Sequence, residues 1–341
     1  MLLSPAKTTV FLCAALAVSC GPLTELRERV EPDVTPPAFV GLRLLDESRL
    51  ELCFDEPLGG PAEALRIEPA LEVVAADVEE CLLLLEVNGQ QPGLRYHLEA
   101  TVSDARGNSL SFMAGFYGFN PRVPPLLINE FTTRGSGNHP DVVELKALGA
   151  GDMAGVVLYG GTPRGHDGLL IFPSLAVEAG DFLLVHFKPQ GIPEELDEVG
   201  DRTLSGGLDA SPSAYDFWVP QGTGLSGNNG VIGLYARPEG GEILDGVLYS
   251  DRTSLSDSEY GGFGTRECLE RALELVADGG WRTGTEQARP EDAVSPEGTT
   301  GTRSLCRDRE GSDTDSAADW HIVPTLGFTF GAENSEEIYE P

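Results

Sequence analysis

The sequence predicts an all-β protein built as two tandem β-sandwich domains with loop insertions and one short helix. Three observations carry this. Short apolar runs rich in β-branched and aromatic residues recur along the chain, among them Leu126 to Phe131, Asp141 to Leu145, Asp181 to Val185 and Ile243 to Tyr249. Each is bounded by Gly, Pro, Asn or Asp, as paired strands require. The 42 glycines and 24 prolines supply more turns than a helical architecture uses. Helical spacing stands out in one place, Leu269, Leu273 and Val276, which predicts a helix over 266–277 stopped by Gly279-Gly280.

The first element is a leader. Met1 to Lys7 is weakly basic, and Val10 to Val18 is an apolar run of signal-peptide length, too short to span a bilayer. The run closes on Leu16-Ala17-Val18-Ser19-Cys20-Gly21, which resembles the lipobox of bacterial lipoproteins. The resemblance implies cleavage after residue 19 and acylation of Cys20, with an ordinary cleaved signal peptide as the competing reading. It also implies an exported protein held to a membrane, with the outer membrane as the expected place and its side left open. Several acyl chains on one residue anchor stably, since each buried methylene contributes roughly 0.8 kcal/mol. Residues 20–37 are polar, acidic and Pro-containing and form a flexible tether.

Residues 38–122 make the first domain. Leu50, Leu52 and Phe54 alternate with Glu51, Cys53 and Asp55, the pattern of a half-buried strand. Further strands are expected at 64–68, 71–76, 81–87 and 94–102. Asp33-Val34-Thr35-Pro36-Pro37, Phe54-Asp55-Glu56-Pro57, Tyr96-His97-Leu98 and Asp104-Ala105-Arg106-Gly107-Asn108 together resemble bacterial Ig-like domains. Such domains mostly act as spacers.

Residues 123–334 make the second domain, with insertions at 189–224 and 252–305 and an acidic tail at 335–341. Its motif residues are Ile128 and Glu130; Asp141, Val143, Glu144 and Leu145; Met153 and Gly155; Phe172 and Pro173; and Gly180 with Leu183 to Val185. Further on come Leu225 through Leu234, Leu244 to Tyr249, and Trp320 followed by Pro324-Thr325-Leu326-Gly327 and Asn334. In this order they resemble the lamin-tail domain, an Ig-like sandwich. Leu326 and the extra residues before Asn334 depart from that family's ending. The first insertion carries an acidic cluster and the aromatic residues Tyr215, Phe217 and Trp218, which are expected to meet a partner; the alternative is that they cap the sandwich. Beyond its helix, the second insertion is polar and expected to be poorly ordered up to Thr302.

With Cys13 in the leader and Cys20 taken by lipid, Cys53, Cys81, Cys268 and Cys306 remain. An even number in an exported chain suggests disulfides, with three connectivities open and 53–81 plus 268–306 the most economical. Free, inert thiols are the alternative. No CxxC or Cys/His spacing points to zinc. The formal net charge of −32, from 55 acidic against 23 basic residues, repels phosphate backbones, so nucleic acid is not an expected partner. No GxSxG elbow, HExxH helix, phosphate loop or dinucleotide fingerprint is present. Asp313, Asp315 and Asp319 look like a fragment of a calcium loop but lack its turn glycine and closing glutamate, and an acidic turn is the alternative. No other cofactor and no catalytic residue is expected.

The expectation is therefore a non-catalytic cell-envelope lipoprotein with a structural or adhesive role, binding a protein or glycan. Lamin-tail domains accompany exported nucleases and phosphatases, so the resemblance also allows an accessory subunit of such a hydrolase.

Overall fold

The computed structural model describes residues 34–251, 259–285 and 287–341. The leader, Cys20 and nearly all of the tether lie outside the described residues. Strands make up 38% of the structure and helix 7%, an all-β sandwich architecture.

Seven strands build the N-terminal part: β1 (Phe39–Leu44), β2 (Arg49–Phe54), β3 (Glu63–Glu68), β4 (Glu72–Glu79), β5 (Leu82–Asn88), β6 (Arg95–Ser103) and β7 (Ser109–Tyr117). They form two antiparallel sheets, β1-β2-β5-β4 and β3-β6-β7. Strict alternation places Leu50, Leu52, Leu83, Leu85 and Val87 of one sheet against Tyr96, Leu98, Ala100 and Val102 of the other. The glutamates between them face solvent. Asp104 closes the β6–β7 turn, its carboxylate accepting from the Arg106 and Asn108 amides at 2.8 and 2.9 Å.

The C-terminal part adds β8 (Leu126–Phe131), β9 (Val142–Ala147), β10 (Gly151–Asp152), β11 (Val157–Thr162), β12 (Gly165–Ile171), β13 (Ala176–Val177), β14 (Phe182–His186), β15 (Tyr215–Trp218), β16 (Asn229–Tyr235) and β17 (Ile243–Ser250). After them come α1 (Arg266–Ala277), β18 (Leu305–Cys306) and β19 (His321–Ile322). A six-stranded sheet, β15-β14-β9-β8-β18-β19, packs on a four-stranded sheet, β12-β11-β16-β17, while β10 and β13 pair separately. Ile128, Val143, Leu145, Leu183, Val185 and Phe217 meet Leu158, Ile232, Leu234 and Val247 in the shared core.

Both sheets are covered on their outer faces too, which is why β14 and β16 are buried along their whole length. Helix α1 packs against strands of the four-stranded sheet, placing Cys268, Ala272 and Leu275 in the core. Thr265 caps it by accepting from the Cys268 amide at 3.1 Å. Gly279, at φ 88°, ends it as expected. A Cβ at Gly246 would stand 2.5 Å from Leu275 Cδ1 and 3.1 Å from the Gly280 carbonyl oxygen, so a side chain there would make Leu275 shift.

Two expectations are corrected here. The first insertion is not loop throughout: Tyr215–Trp218 joins the six-stranded sheet as a strand parallel to β14. Phe217 and Trp218 are buried, and Tyr215 is half-buried under Arg202, so these aromatics complete the sandwich and do not face a partner. The described part of the second insertion is packed, with Trp281, Ala288, Ala293 and Val294 in the core. The tail is docked as well: the Tyr339 amide donates to Ile322 O at 2.7 Å, and Arg303 lies 4.2 Å from the Tyr339 ring centroid.

Among the described residues no disulfide joins Cys53, Cys81, Cys268 and Cys306, against the expected pairings. Cys53 stands opposite Leu82 while Cys81 lies one register step away, beside the turn, so they are neighbours without being a facing pair. Cys268 rides on α1 over the four-stranded sheet, and Cys306 belongs to the six-stranded one, with a different layer around each.

Candidate functional site

The polar residues most prominent in the sequence motifs converge at one edge of the second sandwich and on the outer face of its six-stranded sheet. Glu130 on β8 and Glu144 on β9 are paired directly across the ladder and are both fully buried. Like charges in that position repel, so the pair depends on donors brought by other segments. Glu130 accepts from Ser304 Oγ, from the Thr329 amide at 3.0 Å and from Thr329 Oγ1 at 2.7 Å. Glu144 accepts from Asn129 Nδ2 at 2.7 Å and from the Gly331 amide at 2.6 Å. Asn129 and Asn334 exchange side-chain hydrogen bonds at 2.9 and 3.1 Å, and Asn334 Nδ2 also donates to Arg307 O at 3.0 Å. Residues 328–334 thus form a strap across the sheet. Phe330 in the strap covers a small apolar cluster of Val142, Phe182, Leu184 and Ala214.

The second focus is Arg307, a fully buried cation. Its guanidinium reaches both Asp245 oxygens at 3.2 Å, Asp313 Oδ1 at 3.0 Å and Asp319 Oδ2 at 3.4 Å. It also donates to Ile128 O at 2.9 Å and Ser312 O at 2.9 Å, and it lies 4.7 Å from the Trp320 ring centroid. Asp245 belongs to β17, and its Oδ2 accepts from the Ile128 amide of β8 at 2.6 Å. Arg307, Asp245 and Ile128 therefore close a triangle that joins the two sheets.

Of the three aspartates that look like a calcium-loop fragment, Asp313 and Asp319 reach Arg307, while Asp313 and Asp315 gather with Asp245, which the sequence reading did not include among them. Asp245, Asp313 and Asp315 each bring a carboxylate oxygen within 4.8 Å of the others. Asp319 is occupied by the Thr314 and Ser316 amides at 2.8 and 3.2 Å. The positive charge at the centre is supplied by the chain itself through Arg307, and a divalent cation would have to compete with it for the same oxygens.

Burial sets the protonation of these acids. It pushes Glu144 well above the ordinary carboxylate range, with the charge of Glu130 adding to the effect, and it raises Glu130 as well. Burial also pushes Asp245 up to about 7 while Arg307 pulls against it. One guanidinium shared among several carboxylates cannot neutralise them all. A carboxyl whose folded value is raised holds more protons folded than unfolded across that window, so stability falls as pH rises from the ordinary carboxyl range towards 7. All three tryptophans, Trp218, Trp281 and Trp320, lie in this sandwich, so their fluorescence reports its unfolding alone. The midpoint of thermal unfolding followed that way is expected to be higher at pH 5.5 than at pH 7.5, by roughly 5 °C.

Two of the histidines lie against carboxylates. His186, fully buried, hydrogen-bonds Asp216 at 2.7 Å and stacks on Trp218 with ring centroids 3.9 Å apart. His139 pairs with Asp209 at 2.9 Å. Cys306 lies 3.5 Å from His321 Nε2, but burial pushes its thiol up and away from the reactive thiolate. Sequence reading singled out Glu130, Glu144, Asp245 and Asn334 as motif positions and missed Arg307. The available signal was a single basic residue directly after the apolar pair Leu305-Cys306 and ahead of the acidic turn.

Among known proteins, an uncharacterized protein of Treponema pallidum (strain Nichols) is 27% identical over 161 residues, covering 47% of this chain. The match takes in 39% of that relative's length, so the chain spans well under half of it. Among solved structures, a DUF4876 family protein from Bacteroides thetaiotaomicron aligns over 81% of this chain and 95% of its own, with TM-score 0.34 and 12% identity. A family model, that of the TP_1001 protein second domain, matches residues 124–322, the span that holds both sheets of the second sandwich and Arg307. That match takes in more than half of the 341 residues, and the chain belongs to this family.

Proposed function

We propose that the chain is an exported, lipid-anchored cell-envelope protein in which an Ig-like spacer carries a lamin-tail-like sandwich whose role is structural or adhesive, through binding a protein or glycan, and not catalytic. One observation carries the non-catalytic part of this reading. The acids at the motif positions, Glu130, Glu144 and Asp245, are fully buried, and each is engaged by donors from the chain itself. A general acid, a nucleophile or a metal ligand has to face a space that substrate can enter. These carboxylates instead hold returning segments to the sheets.

The anchoring part rests on Leu16-Ala17-Val18-Ser19-Cys20 and the apolar run before it. No helix of the described residues is long and apolar enough to cross a membrane. Lipid on Cys20 is the form of attachment that this segment supports. Cells fed an alkyne-bearing palmitate are expected to label the native chain, which then partitions into the detergent phase on Triton X-114 extraction. The Cys20→Ala variant should lose the label and leave the detergent phase. An unlabelled native chain, cleaved and free in the aqueous phase, would mean an ordinary signal peptide.

A further inference from the structure

We infer that the segment 190–205, between β14 and β15, is a docking surface for a second protein whose contact face is aliphatic and ringed by lysine or arginine. The inference rests on the binding role proposed above and gives it a place and a partner chemistry.

The segment has no regular secondary structure, yet it is held in one shape by its own carboxylates. Glu195 accepts from the amides of Gln190, Gly191 and Ile192 at 2.6, 2.7 and 3.2 Å. Glu198, fully buried, accepts from the amides of Leu204, Ser205 and Asp216 at 2.9, 2.8 and 2.9 Å. Asp197 takes the Trp218 amide at 2.9 Å, and Trp218 Nε1 donates to Ser205 Oγ at 3.1 Å. Arg202 is drawn down onto the Tyr215 ring and Asp181.

This construction inverts the usual order of burial. A glutamate is inside while four aliphatic side chains of the same segment point out: Ile192, Leu196, Val199 and Leu204 are 37%, 46%, 53% and 50% exposed. A chain free to rearrange would bury them and solvate Glu198. Exposed apolar side chains on a fixed scaffold are what an interface uses, because little ordering entropy is lost on contact. Charge selects the partner. Glu194 and Asp201 are exposed beside the aliphatic residues, and Arg202, already committed, is the one basic residue between 189 and 214. The overall charge of −32 adds to the bias towards a basic rim. An anionic lipid surface would be repelled by the same charges.

The test places a photoreactive benzophenone side chain at position 196 of the full chain in intact cells that make it. The same group at Met113, exposed on the N-terminal sandwich, serves as the control. Position 196 is expected to give a discrete protein adduct whose cross-linked peptide, read by mass spectrometry, carries Lys or Arg beside aliphatic residues. Adding Glu194→Lys and Asp201→Lys should cut its yield on the order of tenfold. A lipid adduct, an adduct to a second copy of the chain, no adduct at 196, or one indifferent to the charge reversal would overturn the inference. Adducts from Met113 without any from 196 would move binding elsewhere and leave the proposed role standing. Silence at both positions would remove the role together with the surface.

Discussion

Arg307→Met lowers the stability of the second sandwich by about 3–5 kcal/mol at neutral pH, the usual cost of leaving a buried charge without its partner. The native guanidinium is fully buried against Asp245, which is itself shut off from solvent. Removing it takes away the cation that favours the charged form of Asp245, opens the hydrogen bond to Ile128 O, and takes the cation off the Trp320 ring. Urea unfolding followed by tryptophan fluorescence gives the number. Asp245→Asn in the same chain restores part of the loss, because the side chain left behind is then neutral and still accepts from the Ile128 amide. A coupling of at least about 1 kcal/mol in the double-mutant cycle is expected. Strict additivity would mean that Arg307 and Asp245 act independently, against the closed triangle described above.

Removal of residues 328–341 has the other large effect. It takes away the Thr329 and Gly331 amides from Glu130 and Glu144, the Asn334 side chain from Asn129, and Phe330 from Val142, Phe182 and Leu184. Hydrogen bonds to carboxylates contribute about 1.5–3 kcal/mol each, so the loss is on the order of 5 kcal/mol before the uncovered apolar face is counted. That is comparable to the whole stability of a typical domain, about 5–15 kcal/mol. The shortened sandwich is expected to lose its cooperative unfolding transition, while the N-terminal sandwich, with a core of its own, keeps its strand circular dichroism. Retention of a sharp tryptophan transition in the shortened chain would count against the strap's role.

Strands were legible wherever one face meets water. Leu50, Leu52 and Phe54 alternate with polar neighbours because only their side of β2 is covered, so period two appears in the sequence. The helix at 266–277 was equally legible from its spacing and the glycines behind it. What stayed hidden is what depends on a covering from far along the chain. Tyr215, Phe217 and Trp218 read as a loop that either meets a partner or caps the sandwich, and not as a strand, because nothing local says that β14 still has an open edge for them to join in parallel. Trp281, Ala288 and Val294 lie in a polar stretch, and their burial is decided by a sheet assembled from distant strands. The site was half legible. Glu130, Glu144 and Asp245 each interrupt an apolar run, which marks a buried acid, but the donors that make burial tolerable are Ser304, Arg307, Thr329 and Gly331, at sequence distances of 62 to 199 residues. The cysteines misled for a related reason: equal numbers in each half suggest two pairs, whereas layer and register separate them.

If the buried carboxylates exist to hold the returning end of the chain, the strap and the sheet beneath it must open together. Amide hydrogen exchange resolves this residue by residue in the unaltered protein. The Thr329 and Gly331 amides, donors to Glu130 and Glu144, are predicted to exchange as slowly as those of Val143 and Leu145 in β9, and only through global unfolding. Exchange of Thr329 and Gly331 within minutes while β9 stays protected would contradict the account, since the two acids would then sit buried without the partners assigned to them.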